Sequence, residues 1–174
     1  MRRFPTKRAA ATLSVLTLCA GWVEAGSVSA SAETPDHYGA HGCITVSGLT
    51  ETSVVTTANP GDPTTHAGEN GTTHDVITYP DGRVFGTEDG QLAVYYDGAG
   101  VPREMYTFTD KLVGGDTFGA GVIDLVTVGA GGVGTYHVVG TSGRYRGLSG
   151  DWTFTLTTRT ATGSIAAVNL HLCP

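Results

Sequence analysis

The chain has 174 residues, of which 26 are glycine, seven are proline and three are cysteine, and its formal net charge is −6. This acidity argues against nucleic acid and against an anionic membrane surface as partners, because both bind a basic protein face.

The first 32 residues have the features of a cleaved secretory signal peptide. Four basic residues within the first eight precede an apolar run from Ala9 to about Val23, which is shorter than the roughly 20 residues of a membrane-spanning helix. The small residues Ala30 to Ala32 provide a cleavage site. We therefore predict a secreted, extracellular protein that has no membrane attachment after cleavage near Ala32. The remaining chain has six basic and 15 acidic residues, a net charge of −9.

The mature chain is predicted to consist of a flexible leader, residues 33–42, and a single domain, residues 43–174. Within the domain, short runs of alternating apolar and polar residues are separated by glycine- and proline-rich turns, and no run has helical periodicity. The predicted strands are 43–49 with an extension to 57 past a bend at Gly48, 74–79, 83–86 with 91–96, 103–113, 117–128, 133–139, 151–159 and 164–173. Residues 58–73 are predicted to be a long loop. Eight short strands indicate an all-β sandwich or barrel.

Two cysteines favour the barrel. Cys43 opens the first predicted strand and Cys173 ends the last, and in an oxidising compartment such a pair predicts a disulfide. Antiparallel neighbours would bring these two ends within disulfide reach. Pairing of the first strand with the last closes the sheet, so we predict an eight-stranded antiparallel closed β-barrel. A barrel of that size either packs solid or holds one small ligand.

Strand alternation predicts which side chains point into the barrel. After the glycine-rich turn Gly140–Gly150, large apolar residues alternate strictly with threonine, and in each strand we assign the heavier set to the interior. The predicted inward-facing residues are Leu92, Val94, Tyr96, Tyr106, Phe108, Asp110, Leu112, Trp152, Phe154 and Leu156. Both faces are apolar in residues 117–128, so the parity of that strand, including Asp124, stays undecided. Arg159 falls on the outward, threonine-lined parity.

Three motifs carry a resemblance to a known family. Thr109-Asp110-Lys111-Leu112 before a glycine turn, a glycine-spaced strand, and the sequence GTSGRYRGLSG from Gly140 followed by an aromatic strand resemble the allene oxide cyclase-like barrels. Plant dirigent proteins share that architecture, and the closest likeness is to bacterial spirotetronate-type barrel cyclases (Diels–Alderases). The resemblance implies an eight-stranded barrel, a homo-oligomer such as a dimer or trimer, an apolar lumen, no cofactor, and ring closure of an unsaturated substrate.

The sequence departs from that pattern in two respects. Those cyclases are cytoplasmic, whereas this chain carries an export signal. A lumen carboxylate is expected in the first strand, and the only candidate there is Glu51, which follows the bend at Gly48. The strand after the glycine-rich turn offers no lumen arginine.

Candidate catalytic residues are Tyr106, Asp110 and Tyr96. The two phenols could donate to a substrate carbonyl or simply pack with the hydroxyl at the rim, and Asp110 could act as a general base in a dry lumen or bind turn amides. The predicted substrate contacts are Trp152, Phe154, Phe108, Leu156 and Val94, which could equally fill a solid core. Arg144 and Arg146, expected at the barrel mouth, could meet a substrate carboxylate or pair with surface acids. The histidines lack metal-ligand spacing, so no metal site is predicted.

The sequence thus leads to one main hypothesis and two rivals. The main hypothesis is a secreted barrel that binds an apolar, unsaturated or polyketide-like small molecule and promotes its cyclisation or isomerisation. The first rival is a non-catalytic, lipocalin-like carrier or a dirigent-like orienting protein. The second is a structural protein with a packed lumen.

Overall fold

A computed structural model describes the backbone of residues 37–38 and the whole of residues 42–174. The predicted signal peptide, residues 1–32, and all of the predicted leader except His37, Tyr38 and Gly42 lie outside these described residues. Within the described part, no helix combines the length and apolar character needed to cross a bilayer.

The described residues form nine strands, one short α-helix and one 3₁₀ turn. The strands are β1 (His37–Tyr38), β2 (Ile44–Asn59), β3 (Asn70–Thr78), β4 (Val84–Tyr96), β5 (Pro102–Leu112), β6 (Gly115–Asp124), β7 (Gly134–Gly140), β8 (Ser149–Thr160) and β9 (Gly163–Cys173). The helix α1 spans Leu125–Gly129, and the 3₁₀ turn spans Gly143–Tyr145.

Eight of these strands close into an antiparallel barrel. Each of β2 to β8 pairs with the next strand along the chain, and β9 returns to pair with β2 from Ile44–Leu172 to Val54–Gly163. The Cys43–Cys173 disulfide joins the two strand ends at this seam, where the Cα atoms are 4.2 Å apart. The predicted closed barrel and disulfide are confirmed. The two-residue strand β1 lies beside the start of β2.

The barrel has one open and one closed end, and its antiparallel order places alternate connections at the same end. The connections β2–β3, β4–β5, β6–β7 and β8–β9 meet at one end, the mouth, and α1 lies there. The other end is filled by buried side chains, so the barrel is solid below and hollow above. The principal members of this packed half are Ile44, Val46, Leu49, Phe85, Leu112, Val138, Tyr145, Leu170 and Leu172.

The glycine-rich turn lies at the closed end, and its predicted place at the mouth is wrong. The backbone N–H of Arg144 donates to the Gly114 carbonyl (2.9 Å), and the buried Tyr145 hydroxyl donates to the Val113 carbonyl (2.9 Å). The Arg144 guanidinium donates to the Tyr145 hydroxyl (2.7 Å). These contacts tie the β7–β8 connection to the β5–β6 connection, because alternate connections of an antiparallel barrel share an end.

The structure corrects three predicted element boundaries. β2 runs to Asn59 and β3 begins at Asn70, so the predicted loop 58–73 is shorter than expected. β4 is continuous from Val84 to Tyr96, so the predicted break at residues 86–90 is wrong. A Cβ atom on Gly90 would lie 2.1 Å from the Tyr106 hydroxyl oxygen, so this glycine leaves room for a ring and does not interrupt the strand. The predicted strand 117–128 ends early, because Asp124 accepts hydrogen bonds from the amides of Val126 (2.8 Å) and Thr127 (3.0 Å) and caps α1.

Candidate functional site

A cavity of about 910 Å³ occupies the upper half of the barrel and opens at the mouth. Six of the residues proposed from the sequence line this cavity: Val94, Tyr96, Tyr106, Trp152, Phe154 and Leu156. Tyr96 lies near the rim and is 43% exposed, whereas Trp152 is 2% exposed. Phe108 and Asp110 point into the barrel but are buried beneath the cavity. The cavity is large enough for a small organic ligand.

Aromatic rings form a continuous wall of the cavity. Tyr106 lies 5.3 Å from Tyr136, which stacks on Phe154 at 5.4 Å. Phe108 supports this wall from below, at 5.2 Å from Tyr106 and 6.3 Å from Trp152. Tyr136 was not among the sequence candidates, although its alternation with Thr135 and His137 in β7 marks it as inward-facing.

A row of polar side chains crosses the floor of the cavity. The strand register places Ser53 opposite Asp75, Asp75 opposite Glu88, Glu88 opposite Asp110, and Asp110 opposite Thr117. Each of the three acids is at most 2% exposed. We call Asp75, Glu88 and Asp110 the carboxyl row. Sequence reasoning identified only Asp110, because Glu88 fell in the supposed break of β4 and parity was not applied to β3.

Tyr106 is bound at the centre of the carboxyl row. Its hydroxyl lies 2.5 Å from Glu88 Oε1, contacts the Thr73 hydroxyl, and lies 3.5 Å from Asp75 Oδ2. A phenol has one hydrogen to donate and two lone pairs that accept. Because Glu88 Oε1 is the close carboxyl oxygen, the phenol donates there and accepts from Thr73. Tyr106 therefore acts mainly as a rigid link between the cavity wall and the row.

Glu51 supplies a separate acid on the cavity wall. The Trp152 Nε1–H group donates to Glu51 Oε2 at 3.2 Å. Glu51 is only half-buried, because it faces the cavity rather than the packed half of the barrel. The bend at Gly48 is a bulge between Val46 and Leu49. It shifts the inward-facing positions by one residue and so puts Glu51 in the lumen. The structure thus supplies a lumen carboxyl in the first long strand.

Burial raises the pKa values of these acids. Burial raises the pKa of Glu51 to about 8, the charges of Asp75 and Asp110 add to this, and the Trp152 hydrogen bond opposes it. Burial likewise raises the pKa of Asp110 to about 6, against the hydrogen bond from Thr117. The pKa of Glu88 lies well above its usual range, first through burial and then through the charges of Glu51 and Asp110. At neutral pH the cavity therefore presents hydrogen-bond donors as well as acceptors.

Burial also raises the pKa values of the phenols and of the remaining acids in the cavity. Burial raises the pKa of Asp75, opposed by a hydrogen bond from Ser53. Burial, followed by the charge of Glu88, raises the pKa of Tyr106, so its phenol keeps its proton. Nearer the mouth, Tyr136 donates to Glu104 Oε1 at 2.8 Å, and burial raises the pKa of that carboxyl too.

Arg159 lies at the rim of the cavity, and its predicted outward parity is wrong. The β8–β9 register shifts between Leu156 and Thr158, and this bulge turns the following residues by one position. Arg159 then lines the cavity and lowers the pKa of Glu104 through its charge. A bulge of this kind leaves no clear signal in a run of threonines.

One cluster of donor atoms among the described residues has spacing suited to a metal ion: Cys43, His171 and Cys173. It lies outside the cavity, and the disulfide engages both sulfur atoms.

Sequence comparison places the chain in a known family. Residues 50–168, more than half of the chain, match the family model described as an allene oxide cyclase barrel like domain. The chain belongs to the allene oxide cyclase-like barrel family. The resemblance noted from the sequence is confirmed. A search of curated proteins finds no match.

Solved structures with this barrel include two enzymes of cycloaddition. The Diels–Alderase AbmU from Streptomyces koyangensis is 22% identical with a TM-score of 0.66, and the alignment covers 75% of this chain and 63% of AbmU. This chain therefore spans less than two thirds of AbmU. AbnU, described as an exo-specific intermolecular Diels–Alderase, is 23% identical with a TM-score of 0.65, covering 77% of this chain and 98% of AbnU.

A third similar structure is a pyocyanin demethylase. It is 19% identical with a TM-score of 0.54, and the alignment covers 75% of this chain and 97% of that protein. At these identities the likeness to all three structures shows the fold alone, so the chemistry must be argued from this chain's own residues.

Proposed function

We propose that this barrel binds an unsaturated, largely apolar small molecule that carries a carbonyl group, and promotes its cyclisation or isomerisation. One observation carries the proposal: the polar side chains of Glu51, Asp75, Glu88 and Tyr106 converge at the inner end of a cavity whose wall is aromatic. A carrier needs apolar walls but has no use for several buried acids, which cost stability unless they are paired. Family membership and the cycloaddition enzymes with the same fold support the proposal.

Confinement would supply most of the rate enhancement. The stacked rings of Tyr136 and Phe154 and the indole of Trp152 form walls against which a flexible polyene would fold. Holding two reacting ends in a near-attack geometry can lower a barrier by up to about 7–11 kcal/mol. In a cycloaddition this step needs no proton transfer, because only π electrons are redistributed into new σ bonds.

Glu51 would supply the electrostatic part of catalysis. Trp152 occupies Oε2 of its carboxyl, so the acid hydrogen on Oε1 can be donated to a substrate carbonyl. That hydrogen bond withdraws electron density from a conjugated alkene and makes it a better partner for a diene. Loss of one such donor typically costs about 10²–10³ in rate. In this proposal Glu51 takes the catalytic role that the sequence analysis gave to Tyr106, Asp110 and Tyr96. Tyr106 instead links the cavity wall to the carboxyl row. Asp110 lies beneath the cavity, and Tyr96 lies near its rim.

A fluorescent polyene tests binding separately from catalysis. Methyl parinarate is neutral and apolar, and it should bind in the lumen with a rise in fluorescence. Trp152→Ala should weaken that binding, whereas Asp151→Asn, an acid-to-amide change on an exposed neighbouring side chain, should not. If methyl parinarate fails to bind, the lumen-binding proposal is wrong.

A linear ketone with a diene at one end and an enone at the other tests catalysis. The protein should accelerate its ring closure and favour one stereoisomer. Glu51→Gln should slow the reaction by about 100-fold while leaving the affinity for methyl parinarate unchanged, because the amide keeps the shape but is a weaker donor. Binding without any acceleration or stereochemical bias would favour the carrier instead.

Export and self-association complete the proposal. The disulfide is consistent with folding in an oxidising compartment, as expected for an extracellular protein whose signal peptide is removed. Mass spectrometry of the protein from culture medium should give the mass of a chain that begins at Glu33. Met105 and Val122 are exposed and pair across β5 and β6, and Phe118 is exposed farther along the same outer face. This face offers a surface for a dimer or trimer. Light scattering measures that state.

A further inference from the structure

The carboxyl row has more hydrogen-bond acceptors than donors unless some of its carboxyls are protonated. Tyr106 donates to Glu88 Oε1, and Thr117 donates to Asp110 Oδ2. Three buried oxygens then remain without a donor: Glu88 Oε2, Asp110 Oδ1 and Asp75 Oδ1. Yet the register sets the Glu88 carboxyl directly opposite Asp75 on one neighbouring strand and Asp110 on the other. Two carboxylates cannot bond to each other, because both are acceptors only.

Two protons shared over three carboxyls satisfy every contact. One proton bridges Asp75 and Glu88, a second bridges Glu88 and Asp110, and one negative charge remains on the row. Full ionisation would set like charges directly opposite one another on adjacent strands, which is destabilising even at a protein surface. Full protonation would leave one O–H group without an acceptor. The register that aligns these residues therefore selects a row that contains both an acid and a base.

The row meets the cavity through its first two members. Asp75 and Glu88 line the cavity, whereas Asp110 is completely buried beneath it. A ligand at the floor would thus face one carboxyl that can give a proton and one that can take a proton. General acid–base catalysis requires such a pair, one protonated carboxyl and one ionised carboxyl.

We propose that Asp75 and Glu88 form an acid–base pair that moves protons between carbon atoms of a bound carbonyl compound, with Asp110 as the positioning residue that holds the shared proton. The inference rests on the proposed binding of a carbonyl compound in the lumen, and it adds a second activity, double-bond migration. The carboxylate removes a proton from the carbon between the alkene and the carbonyl, and the C–H electron pair forms a dienolate. The protonated partner then delivers its proton to the far alkene carbon. The product is the conjugated isomer, and the row ends with the same number of protons.

A β,γ-unsaturated ketone that lacks a diene tests this activity without ring closure. In heavy water the protein should convert it to the conjugated ketone, with deuterium at the newly saturated carbon. Absorbance measures the conversion, and mass spectrometry measures the deuterium. Glu88→Gln should slow this conversion by about 100-fold or more. Asp89→Asn, on the exposed outer face of the same strand, is the matched control and should have no effect.

Asp110 is tested through the pH profile. The groups that act on Glu88 are Glu51, Asp75, Asp110 and Tyr106. The negative charge of Asp110 raises the pKa of Glu88, so Asp110→Asn should move the alkaline limb of the profile to lower pH. A residue that only supported the fold would lower the rate at every pH and leave the limb in place, and that result would overturn the positioning role.

Infrared spectroscopy of the unmodified protein tests the shared protons even if a variant fails to fold. A carbonyl band of protonated carboxylic acid should persist at neutral pH, and its absence overturns the proposal. If methyl parinarate binds and the linear diene–enone cyclises, but the unsaturated ketone takes up no deuterium, this inference fails and the proposed function stands. If nothing binds in the lumen, both fail.

Discussion

Glu51→Gln should change how the stability of the protein depends on pH. The wild-type side chain is half-buried on the cavity wall beside Trp152, and desolvation there raises its pKa from 4.5 to about 8. An acid whose pKa is raised by folding binds its proton more tightly in the folded state. Its contribution to stability is therefore complete below pH 4.5 and is lost as the pH rises to about 8. Glutamine has the same shape but does not titrate, so it removes this loss.

The size of the effect follows from the shift. Each unit of pKa corresponds to about 1.4 kcal/mol, so the rise of Glu51 corresponds to a loss of about 5 kcal/mol between the two pH values. In a domain of this size 1 kcal/mol shifts the midpoint of thermal unfolding by about 3 °C. We therefore expect the variant to unfold about 10–15 °C above wild type at pH 8.5. At pH 5 both proteins are neutral at this position, and their midpoints should agree within a few degrees.

Thermal unfolding followed by circular dichroism from pH 4.5 to 9 measures this difference. Four aspartates outside the cavity act in the opposite direction, because hydrogen bonds lower their pKa values. Their contribution to stability is lost only at a more acidic pH than this range. They are Asp62, Asp81, Asp97 and Asp124. Asp151→Asn, on the outer face, controls for the general effect of removing a negative charge. Parallel wild-type and Glu51→Gln curves across this range would show that Glu51 is ionised in the folded state and would refute the reasoning.

Three further predictions concern packing and closure. Gly90→Ala places a methyl group 2.1 Å from the Tyr106 hydroxyl, so it should cost about 1–3 kcal/mol in urea unfolding, whereas an unchanged midpoint would mean that the ring moves freely. Trp152→Ala should cost about 3–5 kcal/mol, and a loss below 1 kcal/mol would contradict the burial of the indole. Replacing Cys43 and Cys173 together by serine should cost about 2–5 kcal/mol, measured against the oxidised wild type, and equal stability would show that the strand ladder alone holds the seam.

Alternation and turn chemistry determined most of the fold from the sequence. A period of two places Trp152 and Phe154 on one face of a strand without any knowledge of neighbouring strands, because successive side chains of a strand point to opposite sides. The cysteines at the two ends of the domain supplied the long-range information, since only a closed sheet brings Cys43 beside Cys173. These features are local or covalent, so the sequence alone carries them.

Local rules failed where one element depends on another. Gly90 reads as a break in a strand, but a ring from β5 fills the space that its missing side chain leaves. The apolar run after Gly121 reads as continuous strand, but Asp124 satisfies the free amides of a short helix. Arg159 changes face because of a bulge that only the pairing with β9 reveals.

The arrangement of the candidate site depends mostly on the tertiary structure. The sequence by itself determined that this chain forms a closed antiparallel barrel with aromatic residues inside, because polarity alternates along each strand and its two cysteines mark the seam. Only the tertiary structure decided that Asp75, Glu88 and Asp110 stand side by side, since their proximity depends on the register between three strands and a slip of one residue would turn a strand's acid outward. Burial then shifts their pKa values, and that shift comes from the surrounding barrel rather than from the residues themselves.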